Sequence, residues 1–263
     1  MADPGARHGL VVAVANQKGG VGKSTTAINL GASLAALGER VLVVDADPQA
    51  NATSGLGIDY REVETAIYDV MVGETPIEDA VEPTSVKDLF LVPSSIDLAG
   101  AEIELVSQMS REHRLQRAVE TLRDRYDTIL VDCPPSLGLI TINALTAADE
   151  VLIPIQAEYY ALEGLSQLVR NIDLVRRNLN PHLKIEGVVL TMYDRRTTLA
   201  ADVAAQVRDH FADQVYRVVI PRSIRLAEAP SYGEPIEAFD PGSRGAIAYR
   251  ALANEFRRRH GRA

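Results

Sequence analysis

Cysteine is nearly missing from this chain: Cys133 stands alone among 263 residues. A single thiol excludes a disulfide framework, the paired spacing of a redox or zinc motif, and a cluster site built from four cysteines. It fits a reducing cytoplasm. Long apolar runs are missing too. After the amino-terminal MADPGARHG, only Leu10 to Ala15 is continuously apolar, one strand's worth, and Asn16, Gln17 and Lys18 end it. Neither a secretory signal nor a membrane span is expected from that pattern. The five histidines (His8, His113, His182, His210, His260) share no ligand spacing, which leaves them surface or structural roles.

Positive charge is scarce in total, and the formal net charge of −9 argues at first against a nucleic-acid partner. Its distribution argues the other way. From Arg195 to Ala263 there are 12 arginines and 8 acidic residues, whereas the preceding 194 residues carry 15 basic and 28 acidic side chains. The carboxy-terminal quarter is the cationic part, and all its cations are arginine. Guanidinium forks suit phosphate recognition, and they also serve ordinary helix surfaces.

What the sequence has in abundance is short runs of Val, Leu and Ile. LVVAVAN (10–16), RVLVVDAD (40–47), DLFLVPSS (88–95), DTILVDCPP (127–135), EVLIPIQ (150–156), IEGVVLTMY (185–193) and VYRVVIPR (215–222) read as strands. Near-continuous apolar composition is what strands covered on both faces require, so the sheet is expected to be mostly parallel. Helical patterns lie between them. In KSTTAINLGASLAALG, Ile28, Leu30, Leu34 and Leu37 line one side and Gly38 marks the end; a last helix is expected over about Ser243–Arg259, after the turn signal DPGS. With no linker, repeat or low-complexity segment, the expected architecture is a three-layer α/β domain over residues 10–263, a twisted sheet flanked by helices, behind a flexible tail at residues 1–9.

The stretch NQKGGVGKSTTAINLG (16–31) carries the chemistry. Strand, glycine-rich turn and helix follow in the order that makes a phosphate-binding loop. Gly19, Gly20 and Gly22 let the backbone wrap so that successive N–H groups and the helix N-terminus face an anion. Lys23 is positioned for the β- and γ-phosphates, the Ser24 hydroxyl for Mg²⁺ and Thr25 for the α-phosphate. The loop departs from the common pattern by its second lysine, Lys18. Two further strands end in acids, Asp45 and Asp47 in one and Asp132 in the other. In open parallel sheets ligands gather at such strand ends, and an apolar run terminated by Asp suits a Mg²⁺-supporting carboxylate. Physical reasoning does not separate Asp45 from Asp47.

KGGVGKST resembles the deviant Walker A motif of the ParA and MinD superfamily. Together with VVDADPQANATSGLG, ILVDCPPSLG, AEYYALEGL, TMYDRRT and IPRSIRLAEAPSYG, it makes nearly the whole chain similar to the ParA/Soj partitioning ATPases. The resemblance implies a P-loop NTPase fold, with ATP and Mg²⁺ as cofactors and hydrolysis that is slow. It implies that Lys18 reaches across a face-to-face, ATP-dependent homodimer to the partner's phosphates, neutralising charge much as an arginine finger does. The whole run Lys18, Gly19, Gly20, Val21, Gly22, Lys23, Ser24 and Thr25 then holds nucleotide, with Lys18 and Lys23 catalytic. Asp47 takes the part of orienting the attacking water, Asp45 sits near Mg²⁺, and Asp132 is the Walker B acid. TMYD and the IPR strand end place Met192, Asp194, Pro221 and Arg222 at the base; no N-K-x-D is found, so adenine is expected rather than guanine.

The same resemblance implies nonspecific binding of double-stranded DNA by the dimer, through Arg196 and Arg225 with Arg195 and Arg222 beside them, and hence association with the nucleoid. Its partner is a ParB-type centromere-binding protein with a basic amino-terminal segment. The acidic stretch from Ile96 to Leu115 reads as an amphipathic helix region that either receives such a segment or is a solvated helix face. Ala50 stands where related chains often have Gly, which is expected to alter the loop after Asp47. The alternative is a MinD-type ATPase that binds membrane through its terminal helix. Here that helix has only Ile247, Leu252 and Phe256 as bulky aliphatic or Phe residues, too little apolar area for a surface anchor. Enzymes of metabolism share the loop, but a cluster-bridging reductase needs two cysteines per chain.

Overall fold

The computed structural model describes residues 8–158 and 161–262; the expected tail thus lies, up to residue 7, outside the described residues, as do Tyr159 and Tyr160 of AEYYALEGL. The strands are β1 (Leu10–Val14), β2 (Val41–Asp45), β3 (Glu82–Pro83), β4 (Leu89–Val92), β5 (Thr128–Asp132), β6 (Glu150–Gln156), β7 (Lys184–Tyr193) and β8 (Val215–Pro221). The helices are α1 (Lys23–Ala36), α2 (Asn51–Gly55), α3 (Ile67–Met71), α4 (Leu98–Glu104), α5 (Arg114–Glu120), α6 (Leu139–Ala147), α7 (Ala161–Asn178), α8 (Thr198–Phe211), α9 (Ile224–Glu228), α10 (Ile236–Phe239) and α11 (Arg244–Arg259).

One eight-stranded sheet runs in the order β3-β4-β2-β5-β1-β6-β7-β8. Every pairing is parallel except β3 with β4. The apolar strands are explained by two cores. Val11 and Ala13 of β1 point into one, with α3 to α8; Val12 and Val14 point into the other, with α1 and α11. A strand whose alternate residues both meet packed side chains has no polar face to display.

Each expected strand is present, most with an end trimmed, β6 as expected and β7 longer by Lys184, and β3 was not foreseen. It is two exposed residues, one of them proline, so it carries no apolar signature. α1 is buried almost all round, because it is clasped between the sheet and α11. Tyr249 of α11 reaches Thr26 of α1, their hydroxyls 3.2 Å apart in the core. The region from Ile96 to Leu115 is not a continuous helix. α4 gives way to a 3-10 turn and Ser110 adopts a left-handed backbone, φ 52°, which breaks the helical path before α5.

Two tight places shape the loops near the ends of β2 and β8. Ala50 is buried in a left-handed conformation, φ 53°, the strained substitute for glycine that the sequence pointed to. Gly57 and Gly233 meet backbone to backbone: a Cβ on Gly57 would lie 2.9 Å from the Gly233 carbonyl oxygen, and one on Gly233 would lie 2.6 Å from the Gly57 Cα.

Arg123 pins the opposite end of the sheet. Its guanidinium donates to both carboxylate oxygens of Asp149, at 2.6 and 3.1 Å, and to the Gly9 carbonyl at 3.0 Å, while Asp149 also accepts the N–H of Val11 at 2.8 Å. Arg123→Met removes these donors without removing bulk. It is expected to destabilise the chain by about 2–3 kcal/mol, less than a fully buried pair because Asp149 keeps some solvent; urea unfolding measures it.

Candidate functional site

β1 stops at Val14 and the chain leaves the sheet, returning at Lys23 as α1. Gly20 and Gly22 carry it round with φ of 73° and 87°. The turn is braced from both sides. Asn16 donates to the Pro154 carbonyl at 2.7 Å and accepts the Lys18 N–H at 3.0 Å, while the Thr191 hydroxyl donates to the Val21 carbonyl at 2.7 Å. α1 begins with no acidic residue in its first turn, so the positive end of its dipole faces the loop unopposed.

The two lysines are held differently. Lys23 is buried, and its Nζ folds back to the Lys18 carbonyl at 3.2 Å. Burial pulls its pKa below that of a free lysine, and the fields of Asp132 and Asp47 act against that pull. Lys18 points away, half exposed, and pairs with Glu158 Oε2 at 2.7 Å.

The three acids separate by their partners. Asp45 and Asp132 are register neighbours on β2 and β5, both wholly buried. Asp45 is fully engaged: one oxygen accepts the N–H and hydroxyl of Thr53 at 2.8 and 2.7 Å, and the other accepts the Asp47 N–H at 3.1 Å. The Thr53 hydroxyl in turn accepts the N–H of Ser94, at 2.9 Å. Asp132 is the opposite case, since both its oxygens are buried without a well-formed hydrogen bond. Burial pushes Asp45 up to about 6 and Asp132 well above the usual carboxylate range, the second further raised by Asp45 and moderated by the Ser24 hydroxyl and Lys23. Asp47 accepts the Gln49 N–H at 3.0 Å through one oxygen.

An orphaned carboxylate beside Ser24 is suited to a hard cation, which prefers oxygen donors. Among the described residues no cluster of three or more His, Cys, Asp or Glu could hold a metal alone. A cation held here would need its remaining ligands from water and phosphate, the ligands Mg²⁺ commonly keeps in phosphate-loop sites.

Next to the loop lies a mostly apolar cavity of about 360 Å³, lined by Gly22, Thr25, Met192, Pro221, Ile224 and Tyr249 among others. It has the size and character of a base pocket. Arg222 also lines it; Asp194 does not. Met192 takes a left-handed φ of 48°, a strained backbone at the pocket wall. Asp194 instead binds the Arg196 guanidinium at 2.9 and 2.7 Å, which holds its carboxyl far below the usual range.

The four arginines expected at DNA are not equivalent. Arg196 is paired to Asp194, and Arg225 to Glu228 at 3.0 Å and Asp240 at 3.2 Å. Arg195 and Arg222 have no ion pair among the described residues, and they line a cleft of about 870 Å³ with two arginines that sequence reasoning missed, Arg217 and Arg244. The sequence reading also gave no role to Asn16, Thr53 or Glu158. All three lay inside stretches already singled out; Thr53 bonds Asp45 of its own motif and Ser94 from beyond it, while Glu158 pairs with Lys18, 140 residues away.

The family described as an AAA domain matches residues 9–185. The chain is 58% identical to the sporulation initiation inhibitor protein Soj of Bacillus subtilis (strain 168), covering 94% of this chain and 98% of that protein. It is 53% identical to the chromosome partitioning protein ParA of Myxococcus xanthus (strain DK1622), covering 95% and 89%. Among solved structures, cobyrinic acid a,c-diamide synthase from Mycobacterium smegmatis with bound ADP and magnesium superposes with a TM-score of 0.83 at 41% identity, covering 94% and 93%.

A raised carboxyl pKa stabilises the fold when the group is protonated, and that contribution is lost as pH rises through the folded-state value. Asp132→Asn removes the buried charge. In chelator, the variant's melting temperature is expected to match the wild type near pH 4 and to exceed it increasingly as pH rises to 8; melting curves across that range check the sign.

Proposed function

This chain belongs to the Soj and ParA family of partitioning ATPases, and from that premise we propose that it is an ATP-driven switch for DNA segregation. The observation that carries the reading is the orphaned Asp132 carboxylate, set beside a braced phosphate loop and Lys23. A buried carboxyl without a well-formed hydrogen bond is costly to ionise unless a cation completes it.

In this reading residues 10–263 form one ATPase unit. The N–H groups of Gly19, Gly20, Val21 and Gly22 cradle the phosphates, Lys23 neutralises the β- and γ-oxygens, and Thr25 lies at the α-phosphate. Met192, Pro221 and Arg222 flank adenine; Asp194 serves the nucleotide indirectly, by fixing Arg196 beside the pocket. Ser24 and Asp132 would hold Mg²⁺, with Asp45 beside them as a neighbouring negative charge, and the bound ion would supply charge neutralisation for the transferred phosphoryl group. Asp45, committed to Thr53 and the Asp47 N–H, aims the loop. Asp47, with one carboxylate oxygen outside the Gln49 bond, orients the attacking water. Hydrolysis in the cytoplasm is slow and partner-stimulated.

Lys18 completes the site of a second subunit. To do so it releases Glu158, and an exposed pair of this kind is worth only about 0–1 kcal/mol, so the release costs little. ATP bound between two subunits then supports a homodimer that lasts until the γ-phosphate leaves. The dimer doubles a basic face made by Arg195, Arg196, Arg222 and Arg225, joined by Arg217 and Arg244, which binds duplex DNA of the nucleoid without sequence preference. For the ParB-type partner, α4 and the residues on either side of it expose Ile96, Ile103, Val106 and Met109 among Asp97, Glu102 and Glu104, a surface matched to a basic amphipathic segment.

The membrane reading loses its anchor, because Leu252 and Phe256 of α11 are fully buried and Ile247 alone of the three bulky residues is exposed. Among the described residues no helix is long and apolar enough to cross a membrane. The neighbour named as a synthase raises a ligase reading, at lower identity than Soj, 41% against 58%. Binding to random-sequence duplex DNA, measured with no nucleotide, ADP, ATP and a non-hydrolysable analogue while dimerisation is followed, decides among these. Salt-sensitive binding confined to the ATP states supports the switch; its absence from a nucleotide-induced dimer overturns the DNA assignment.

Two substitutions sharpen the roles. Asp47→Ala is expected to keep ATP and DNA binding as a persistent dimer while turnover falls about 100-fold or more; a monomer in ATP contradicts the assignment. Arg195→Ala is expected to weaken DNA binding more than Arg196→Ala, because Arg196 already spends its charge on Asp194. Equal losses in a filter-binding titration contradict that ranking.

A further inference from the structure

β8 is the open edge of the sheet, and the cleft holding Arg195, Arg222 and Arg244 lies toward its carboxyl end. A second cleft, of about 780 Å³, opens at the other end, where β6, β7 and β8 begin. Its cations include Lys184, Arg208, Arg217 and Arg258, and none of these four side chains is in an ion pair among the described residues. Arg217 belongs to both clefts.

The carboxylates of the second cleft are mostly committed. Glu150 bonds His260 Nε2 at 2.8 Å, and Glu186 accepts the Tyr216 hydroxyl at 2.5 Å. Glu255 takes the Arg217 and Val218 N–H groups at 2.9 and 3.0 Å and Arg259 at 3.2 Å. Asp213 is the one acid lining the cleft without such a bond; with Arg259 included, five Lys and Arg side chains face four carboxylates there, a modest positive balance in which four of the cations are unpaired among the described residues.

Glu255 also decides what kind of partner this edge can take. A free edge strand invites another strand onto its N–H groups. Here the pairing of β8 with β7 is irregular between Val215 and Val219, and Glu255 occupies the N–H groups left over. Strand addition is blocked at this point, which leaves arginine forks as the available chemistry. An anionic bilayer would need apolar area as well, and α11 turns Leu252 and Phe256 inward.

We infer that the second cleft continues the duplex-binding surface, so that the sugar–phosphate backbone runs along the β8 edge from Arg222, past Arg217, to Arg208 and Arg258. The seven residues of β8 span roughly 23 Å at about 3.3 Å each, about two-thirds of a duplex turn. This extension rests on the DNA reading above.

The test is the salt dependence of binding to random-sequence duplex by the ATP-bound full chain. Each phosphate contact contributes about 0.9 to the slope of log K against log salt. Arg208→Ala/Arg258→Ala is expected to flatten that slope by about 2, Arg217→Ala alone by about 1, and Arg208→Lys/Arg258→Lys to restore it; restoration by lysine marks charge rather than folding. Unchanged slope and affinity in the alanine variants, beside a wild type that binds DNA, overturns the extension alone. A wild type that binds no duplex in any nucleotide state removes the reading beneath it. Loss of binding to anionic vesicles with DNA binding intact assigns the cleft to lipid and overturns the proposal.

Discussion

Two carboxylates buried side by side set the terms for the rest of the molecule. Asp45 and Asp132 sit at the same level of adjacent strands, 0% exposed, where like charges and desolvation both oppose ionisation. Each is handled in its own way. Thr53 and the Asp47 N–H absorb the first, and through Thr53 the end of β4 is drawn in as well. The second is left for Lys23, Ser24 and whatever cation arrives with nucleotide. The phosphate loop, the loop after β2 and the turn after β5 converge on one point, because the fold stabilises one acid and leaves the other unsatisfied.

The fold was largely legible because its signal is redundant. Strands such as Val41–Asp45 and Thr128–Asp132 are buried at every position and apolar through Val41–Val44 and Ile129–Val131, since each face meets a core. Where that redundancy fails, so does the reading. β3 has no apolar residue beyond its proline and pairs antiparallel with β4 at the edge of the sheet. The stretch after Ile96 has helical spacing but is broken at Ser110, whose left-handed backbone no periodicity announces.

The site was legible as a set of residue types and less so as a set of relations. The glycine loop, its lysines and the strand-end acids were visible, but not that Asp45 is saturated while Asp132 lacks a well-formed hydrogen bond. That difference depends on Thr53, eight residues from Asp45 and joined to it only by the turn into α2. Charge was the least legible quantity. The family resemblance points to Arg196 and Arg225, yet both are already paired to acids, whereas Arg217 carries no motif and stands exposed between two clefts.

The contact between Gly57 and Gly233 reaches beyond local packing. It joins the segment that follows Asp47 to the turn that follows α9 with no side chain between them. A joint made of main chain alone is stiff: it has no rotamers to absorb a shift, so displacement at one end is delivered to the other nearly undiminished. It also narrows the paths open to sequence drift, since neither position can gain a side chain unless the other loop is rebuilt. The two segments are therefore expected to keep their lengths together over time, as parts cut to a common gauge.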